Sequence, residues 1–86
     1  MARIVVNFSF NPPLTEEQAD AEAKKVDKCL SERDGRWLMT HLSADRRKQV
    51  CMFEAPDAES VREAFRFSGV KFDDVWLAGQ WWEAEK

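Results

Sequence analysis

The sequence is poor in the residues from which most small sites are built. Its 86 residues hold one histidine, two cysteines, three glycines and three prolines. So few glycines leave no Gly-rich phosphate loop, and neither GxSxG nor HExxH occurs. The cysteines, Cys29 and Cys51, form no CxxC pair, so a cysteine-based zinc site has no signature. Each stands where an apolar residue would also fit, which reads as a buried free thiol. No long hydrophobic run exists. The longest, Ile4 to Phe10, is too short and interrupted for a membrane span or signal peptide, and a cytoplasmic location is the expectation. Basic charge is also in deficit. A net charge of −3 argues against a general nucleic-acid binder, which needs a basic footprint.

What remains is ordinary globular material, 44% hydrophobic and 34% charged, enough for one domain over residues 1–86. Ile4, Val6, Phe8 and Phe10 alternate with Val5, Asn7 and Ser9, a strand with one well-buried face, and Asn11-Pro12-Pro13 stops it. Thr15 with Gln18 three residues on is a capping box. Behind it Ala19, Ala23, Val26 and Leu30 recur at helical spacing to about Arg33, ending near Asp34-Gly35. The stripe is narrow and small, so this helix is expected to lie close to a sheet. Arg36–Ser43 and Lys48–Glu54 read as a hairpin. A turn centred on Asp45-Arg46 pairs Thr40 with Cys51 and Trp37 with Glu54. Asp57 caps a second helix with Val61, Ala64 and Phe65 on its inner stripe and Gly69 as its left-handed stop. A last strand is expected from Val75 to Trp82, with Trp81 and Trp82 facing opposite sides and packing at a domain or dimer edge.

Strand, helix, strand, strand, helix, strand is the split βαβ order of an α+β ferredoxin-like sandwich: an antiparallel sheet with both helices on one face. The other face is then uncovered, yet it carries Trp37, Met39, Met52 and Trp76 beside Asn7 and Ser9. A sheet face this apolar is rarely left in water. The expectation is a homodimer whose two open faces close into an α/β barrel, with Asn7, Ser9, Trp37, Met39, Met52 and Trp76 as candidate residues for a small ligand inside it. His41 and Glu54 are the candidate metal ligands on the same face, because imidazole and carboxylate both serve transition metals. At about 3.3 Å per residue the two lie ~13 Å apart at opposite ends of the hairpin, so one chain does not chelate with that pair. Arg46-Arg47-Lys48 reads as a solubilising turn. RNA-recognition modules share this element order, but they stack bases on exposed aromatics; the matching strand here offers Val50 and Met52, and that reading is rejected.

The run from Arg36-Trp37-Leu38 through Cys51-Met52-Phe53-Glu54-Ala55-Pro56-Asp57 to Val61-Arg62-Glu63-Ala64, followed by Gly69-Val70 and Val75-Trp76, resembles a family of small bacterial proteins of unknown function. That family includes nickel-binding, nickel-responsive members. The resemblance implies a ferredoxin-like fold, α/β-barrel dimers and a preference for nickel. It also carries a departure. Family members often place histidine two residues after the tryptophan with an aromatic two further on, whereas Met39 and His41 stand there here. The chain therefore reads as a small binding protein, with nickel or another divalent metal as its candidate cofactor, rather than as an enzyme. The competing readings are a barrel enzyme of monooxygenase or isomerase type acting on a small organic molecule, and a non-catalytic partner-binding module.

Overall fold

The computed structural model describes residues 1–84. Six elements follow one another: β1 (Ala2–Ser9), α1 (Glu16–Ser31), β2 (Arg36–Leu42), β3 (Lys48–Ala55), α2 (Ala58–Ser68) and β4 (Asp74–Ala78). The strands form one sheet in the order β2-β3-β1-β4, every neighbouring pair antiparallel. This is the ferredoxin-like sandwich that the alternating and helical patterns imply.

Alternation decides which side of the sheet is dry. On β1 the even-numbered Ile4, Val6 and Phe8 are buried, and they stand opposite Phe53, Cys51 and Gln49 of β3. Val26 and Leu30 of α1 and Val61, Ala64 and Phe65 of α2 close the same core. Phe65 is its hub: its ring lies 5.5 Å from Phe8, 5.8 Å from Phe53 and 5.5 Å from Phe72, tilted or edge-on to each, the geometry the ring quadrupoles favour. Leu77 shares this side of the sheet through its pairing with Ile4, but it is 58% exposed on the edge strand.

The helix ends follow their local chemistry. Thr15 Oγ1 accepts from the Gln18 amide at 3.2 Å, and Gln18 Oε1 accepts from the Thr15 amide at 3.1 Å, which completes the capping box. Asp57 Oδ1 accepts from the Ser60 amide at 2.7 Å at the head of α2, and Gly69 closes α2 with φ 76°. Helix α1 stops at Ser31, two residues short of the expected end. Its left-handed residue is Asp34, φ 58°, not the neighbouring glycine. Gly35 serves close approach instead: its amide donates to the Leu30 carbonyl at 2.8 Å, and a Cβ there would meet Leu30 Cδ2 at 3.0 Å.

Two sequence expectations change in the strands. The first concerns β2. Pairing runs His41↔Val50, Thr40↔Cys51 and Met39↔Met52 as expected, then shifts so that Trp37 faces Phe53 and Arg36 faces Glu54. Leu38 is the extra residue of a β-bulge. One inserted residue reverses the alternation beyond it, so Trp37 turns to the helix side rather than the open side. Its indole Nε1 donates to Thr40 Oγ1 at 2.8 Å, on that same side. The second concerns β4, which ends at Ala78. Trp81 and Trp82 therefore lie beyond the strand and do not alternate across it. Trp81 receives the Arg3 guanidinium 4.3 Å from its ring centre, a cation–π contact, while Trp82 is 81% exposed.

Candidate functional site

The open face is laid out in rows across the sheet. Trp76, Val5, Met52 and Met39 are paired in succession and form an apolar row. Val5 is only 5% exposed within it, while Trp76 and Met39 keep 45% and 49% of their surface in contact with solvent. The next row holds Asp74, Asn7, Val50 and His41. Beyond it Ser9 pairs with Lys48, and Ser9 Oγ donates to Asp73 Oδ2 at 2.5 Å. On the other side of the apolar row lie Ala78, Arg3, Glu54 and Arg36. No helix or strand covers these rows among the described residues, and Trp81, beyond β4, lies against Arg3.

Of the sequence candidates, the structure brings Met39, Met52 and Trp76 into one apolar row. It places Asn7, Ser9 and His41 around one shallow depression at the hairpin end of the sheet, with Asp73 beside them. Trp37 is removed from this face by the bulge. Glu54 is separated from His41 by the apolar row, and Arg36 Nε donates to its Oε1 at 2.9 Å. That ion pair is largely exposed, so it is weak, and Glu54 can give it up to ligate an ion brought by a second copy.

The donors of one chain do not fit a closed metal site. Among the described residues no three of histidine, cysteine, aspartate and glutamate converge. Around the depression the imidazole of His41 and the Asn7 amide are the free donors, and Asp73 is engaged by Ser9. Cys51, the softest donor on the sheet, points to the opposite side. Burial pushes its thiol pKa up, against weaker opposing hydrogen bonds from Thr40 and Gln49, so it stays protonated.

The helix side holds a feature that pattern reading missed. A cavity of about 260 Å³ lies between α1 and the β2–β3 pair. The small stripe of α1 was expected to bring the helix down on the sheet, and it does not. The Leu14 amide donates to the Arg46 carbonyl at 2.9 Å, which ties the head of α1 to the hairpin tip. From that height Ala19 and Ala23 are too short to reach the strands. Ala23 belongs to the inner stripe and is nevertheless exposed. The cavity floor is a connected polar strip: Trp37 Nε1 donates to Thr40 Oγ1, Thr40 Oγ1 and Cys51 Sγ lie 3.0 Å apart, and Gln49 Nε2 donates to Cys51 Sγ at 3.4 Å. Its walls are apolar, with Phe8, Leu14, Val26, Leu30 and Phe53. Its α1 border carries Asp20 and Asp27 on one flank of the inner stripe and Glu22 on the other. Partial burial raises the Glu22 carboxyl above the ordinary range, with Lys25 pulling the other way. The signal available in the sequence was the pair of alanines on an inner stripe that larger residues would have filled.

Comparison with known proteins agrees with the fold. The family model described as nickel responsive protein SCO4226-like matches residues 4–77. The crystal structure of SCO4226 from Streptomyces coelicolor A3(2) superposes with a TM-score of 0.81, covering 92% of this chain and 98% of that one at 15% sequence identity. At that identity the likeness establishes the fold. No curated protein matches the chain.

Proposed function

The chain belongs to the nickel-responsive SCO4226-like family, and from that premise we propose that it is a small binding protein without catalytic chemistry of its own, which closes its open sheet face on a second copy and takes nickel or another divalent metal at a site the two copies complete. The observation that carries this reading is the uncovered apolar row of Trp76, Val5, Met52 and Met39 lying directly beside the row that bears His41. Burying that row in an isologous interface removes exposed apolar surface from water. It also supplies a second His41, Asn7 and Ser9 to a depression that one chain leaves short of ligands. Only His41 offers an imidazole, and Glu54 of the second copy is the candidate carboxylate. The metal would be held as a bound ion by nitrogen and oxygen donors, and metal affinity would fall as the imidazole takes up a proton.

Sedimentation equilibrium at micromolar concentration tests the assembly, with twice the chain mass expected and the chain mass alone counting against it. Calorimetric titration with nickel tests the site. Wild type should bind and His41→Ala should lose most of that affinity. Equal affinity in both, or none in either, removes the metal reading and leaves His41 a plain strand residue.

A further inference from the structure

We infer that the cavity between α1 and the β2–β3 pair is a binding site for a small aralkyl amine: an aromatic body seated among the apolar walls, its ammonium group at the carboxylates of the cavity border. The site lies on the opposite side of the sheet from the open face and is independent of the metal reading.

Size comes first. A cavity of about 150 Å³ lined by apolar side chains holds benzene, so the 260 Å³ here accommodates a guest of roughly ten non-hydrogen atoms on the same scale. The walls then select an apolar body. Ala19 and Ala23 from the helix and Leu42 and Trp37 from β2 give the accessible apolar surface, over a closed layer of Phe8, Phe53, Val26 and Leu30, and Trp37 borders the opening with half of its surface in solvent. Apolar walls with a few convergent polar groups are the usual make-up of a small-molecule site.

Charge fixes the class. Its border carries Asp20 and Asp27 on one flank of α1 and Glu22 on the other, and no lysine, arginine or histidine lines the cavity. An anionic guest such as a carboxylate or phosphate would enter against three carboxylates. An ammonium group is attracted instead, and Glu22, partly withdrawn from water, interacts with it more strongly than a fully exposed carboxylate would. The floor adds direction. The Trp37–Thr40–Cys51–Gln49 strip uses the Gln49 amide nitrogen as a donor to sulfur, so the carboxamide oxygen is left as an acceptor for a hydroxyl or N–H at the far end of the guest. The β2 bulge builds this strip, because without the extra residue Leu38 the indole of Trp37 would lie on the other face.

Tyramine is the probe, since it carries an ammonium at one end and a phenol at the other at about the required size. Two comparators separate the terms. Phenethylamine lacks the hydroxyl, and hydroxyphenylacetate exchanges the ammonium for a carboxylate. Titration followed by amide chemical shifts should move Ala23, Leu30, Thr40 and Cys51, with tyramine binding more tightly than phenethylamine and hydroxyphenylacetate not binding. Glu22→Gln should weaken tyramine about fivefold, the scale of one ion pair worth about 1 kcal/mol. Ala23→Leu should fill the cavity and weaken tyramine at least tenfold, and because position 23 is exposed and leucine is a good helix former, its melting temperature should not fall. Three results would overturn the proposal: shifts that map to the open face, equal binding of the amine and the acid, or full tyramine affinity in a folded Ala23→Leu protein. Absence of any shift at millimolar tyramine would overturn it as well.

Discussion

Phe53→Ala is the perturbation that most directly interrogates the register of the sheet. Phe53 retains 3% of its surface, stands between Ile4 of β1 and Trp37 of β2, and meets Phe65 edge-on at 5.8 Å. Truncating a buried phenylalanine to alanine costs about 3–5 kcal/mol, and the spread reflects how far the surroundings collapse into the space left. Here they have little means to do so. The ring already borders the cavity beneath α1, so its removal enlarges a void held open by the helix above it. The edge-on pair with Phe65 adds about 0.5–1.5 kcal/mol beyond burial. The upper part of the range, about 4–5 kcal/mol, is therefore expected. At roughly 0.05–0.15 kcal/mol per residue, a chain of this length has a total stability of about 4–13 kcal/mol, so the variant stands near the limit of folding. Phe53→Leu, with an expected loss of about 1–2 kcal/mol, keeps the comparison measurable. Urea denaturation with an unchanged slope reads the difference as stability. A folded Phe53→Ala protein that loses less than about 1 kcal/mol, the scale of surface substitutions, would mean that β3 is slipped by one residue and that the core and open faces are exchanged.

Two further perturbations test the helix ends. Thr15→Ala removes the acceptor for the Gln18 amide and should cost about 1 kcal/mol in thermal or urea unfolding, whereas an unchanged midpoint would deny the cap any role. At α2, the Ser60 amide and hydroxyl, 2.7 and 2.8 Å from Asp57 Oδ1, hold that carboxyl below its ordinary range. A carboxyl whose folded pKa lies below its unfolded one stabilises the fold at pH values above about 4, and that contribution is lost as pH falls through the folded value. The gap in melting temperature between wild type and Asp57→Asn should therefore narrow on acidification below about pH 4; a gap constant with pH would show that the charge plays no part.

Most of the fold is legible in the sequence because it rests on repeated local signals. Four alternating strands, a capping box at Thr15, an aspartate cap at Asp57 and a glycine stop at Gly69 each specify an element, and their order restricts the topology to few choices. Trp37 was not legible for a specific reason. Alternation is a parity argument, and one unpaired residue, Leu38, reverses parity from there to the strand end without leaving any mark in residue type. The end of β4 was missed because the aromatic pair Trp81-Trp82 suits a strand by residue type, while the Arg3 guanidinium that receives Trp81 comes from the other end of the chain. The cavity was missed because a small residue on an inner stripe has two outcomes. It lets a helix approach a sheet, or, when the helix is held at a height set elsewhere, it leaves space. The Leu14 amide bonded to the Arg46 carbonyl selects the second outcome, and that contact joins the segment before α1 to the turn between β2 and β3.

Symmetry sharpens what the open face can do with a metal. An isologous pair adds to each chain only what the chain already has, so the second copy contributes another His41, Asn7, Ser9 and Glu54 and nothing new in kind. If His41 lies near the two-fold axis, the two imidazoles meet each other and one ion serves two chains. If it lies away from the axis, each His41 meets a different residue of the other copy, with Glu54 at the far end of the hairpin as the natural candidate, and each chain holds an ion of its own. The ratio of nickel to chain in the calorimetric titration distinguishes the two arrangements. Glu54→Gln then acts as the second reading: it should leave the shared site untouched and weaken the separate sites. A ratio of one ion per chain together with full affinity in Glu54→Gln would refute the paired role of Glu54 and leave Asp74, in the same row as His41, as the carboxylate that the face offers to the imidazole from across the interface.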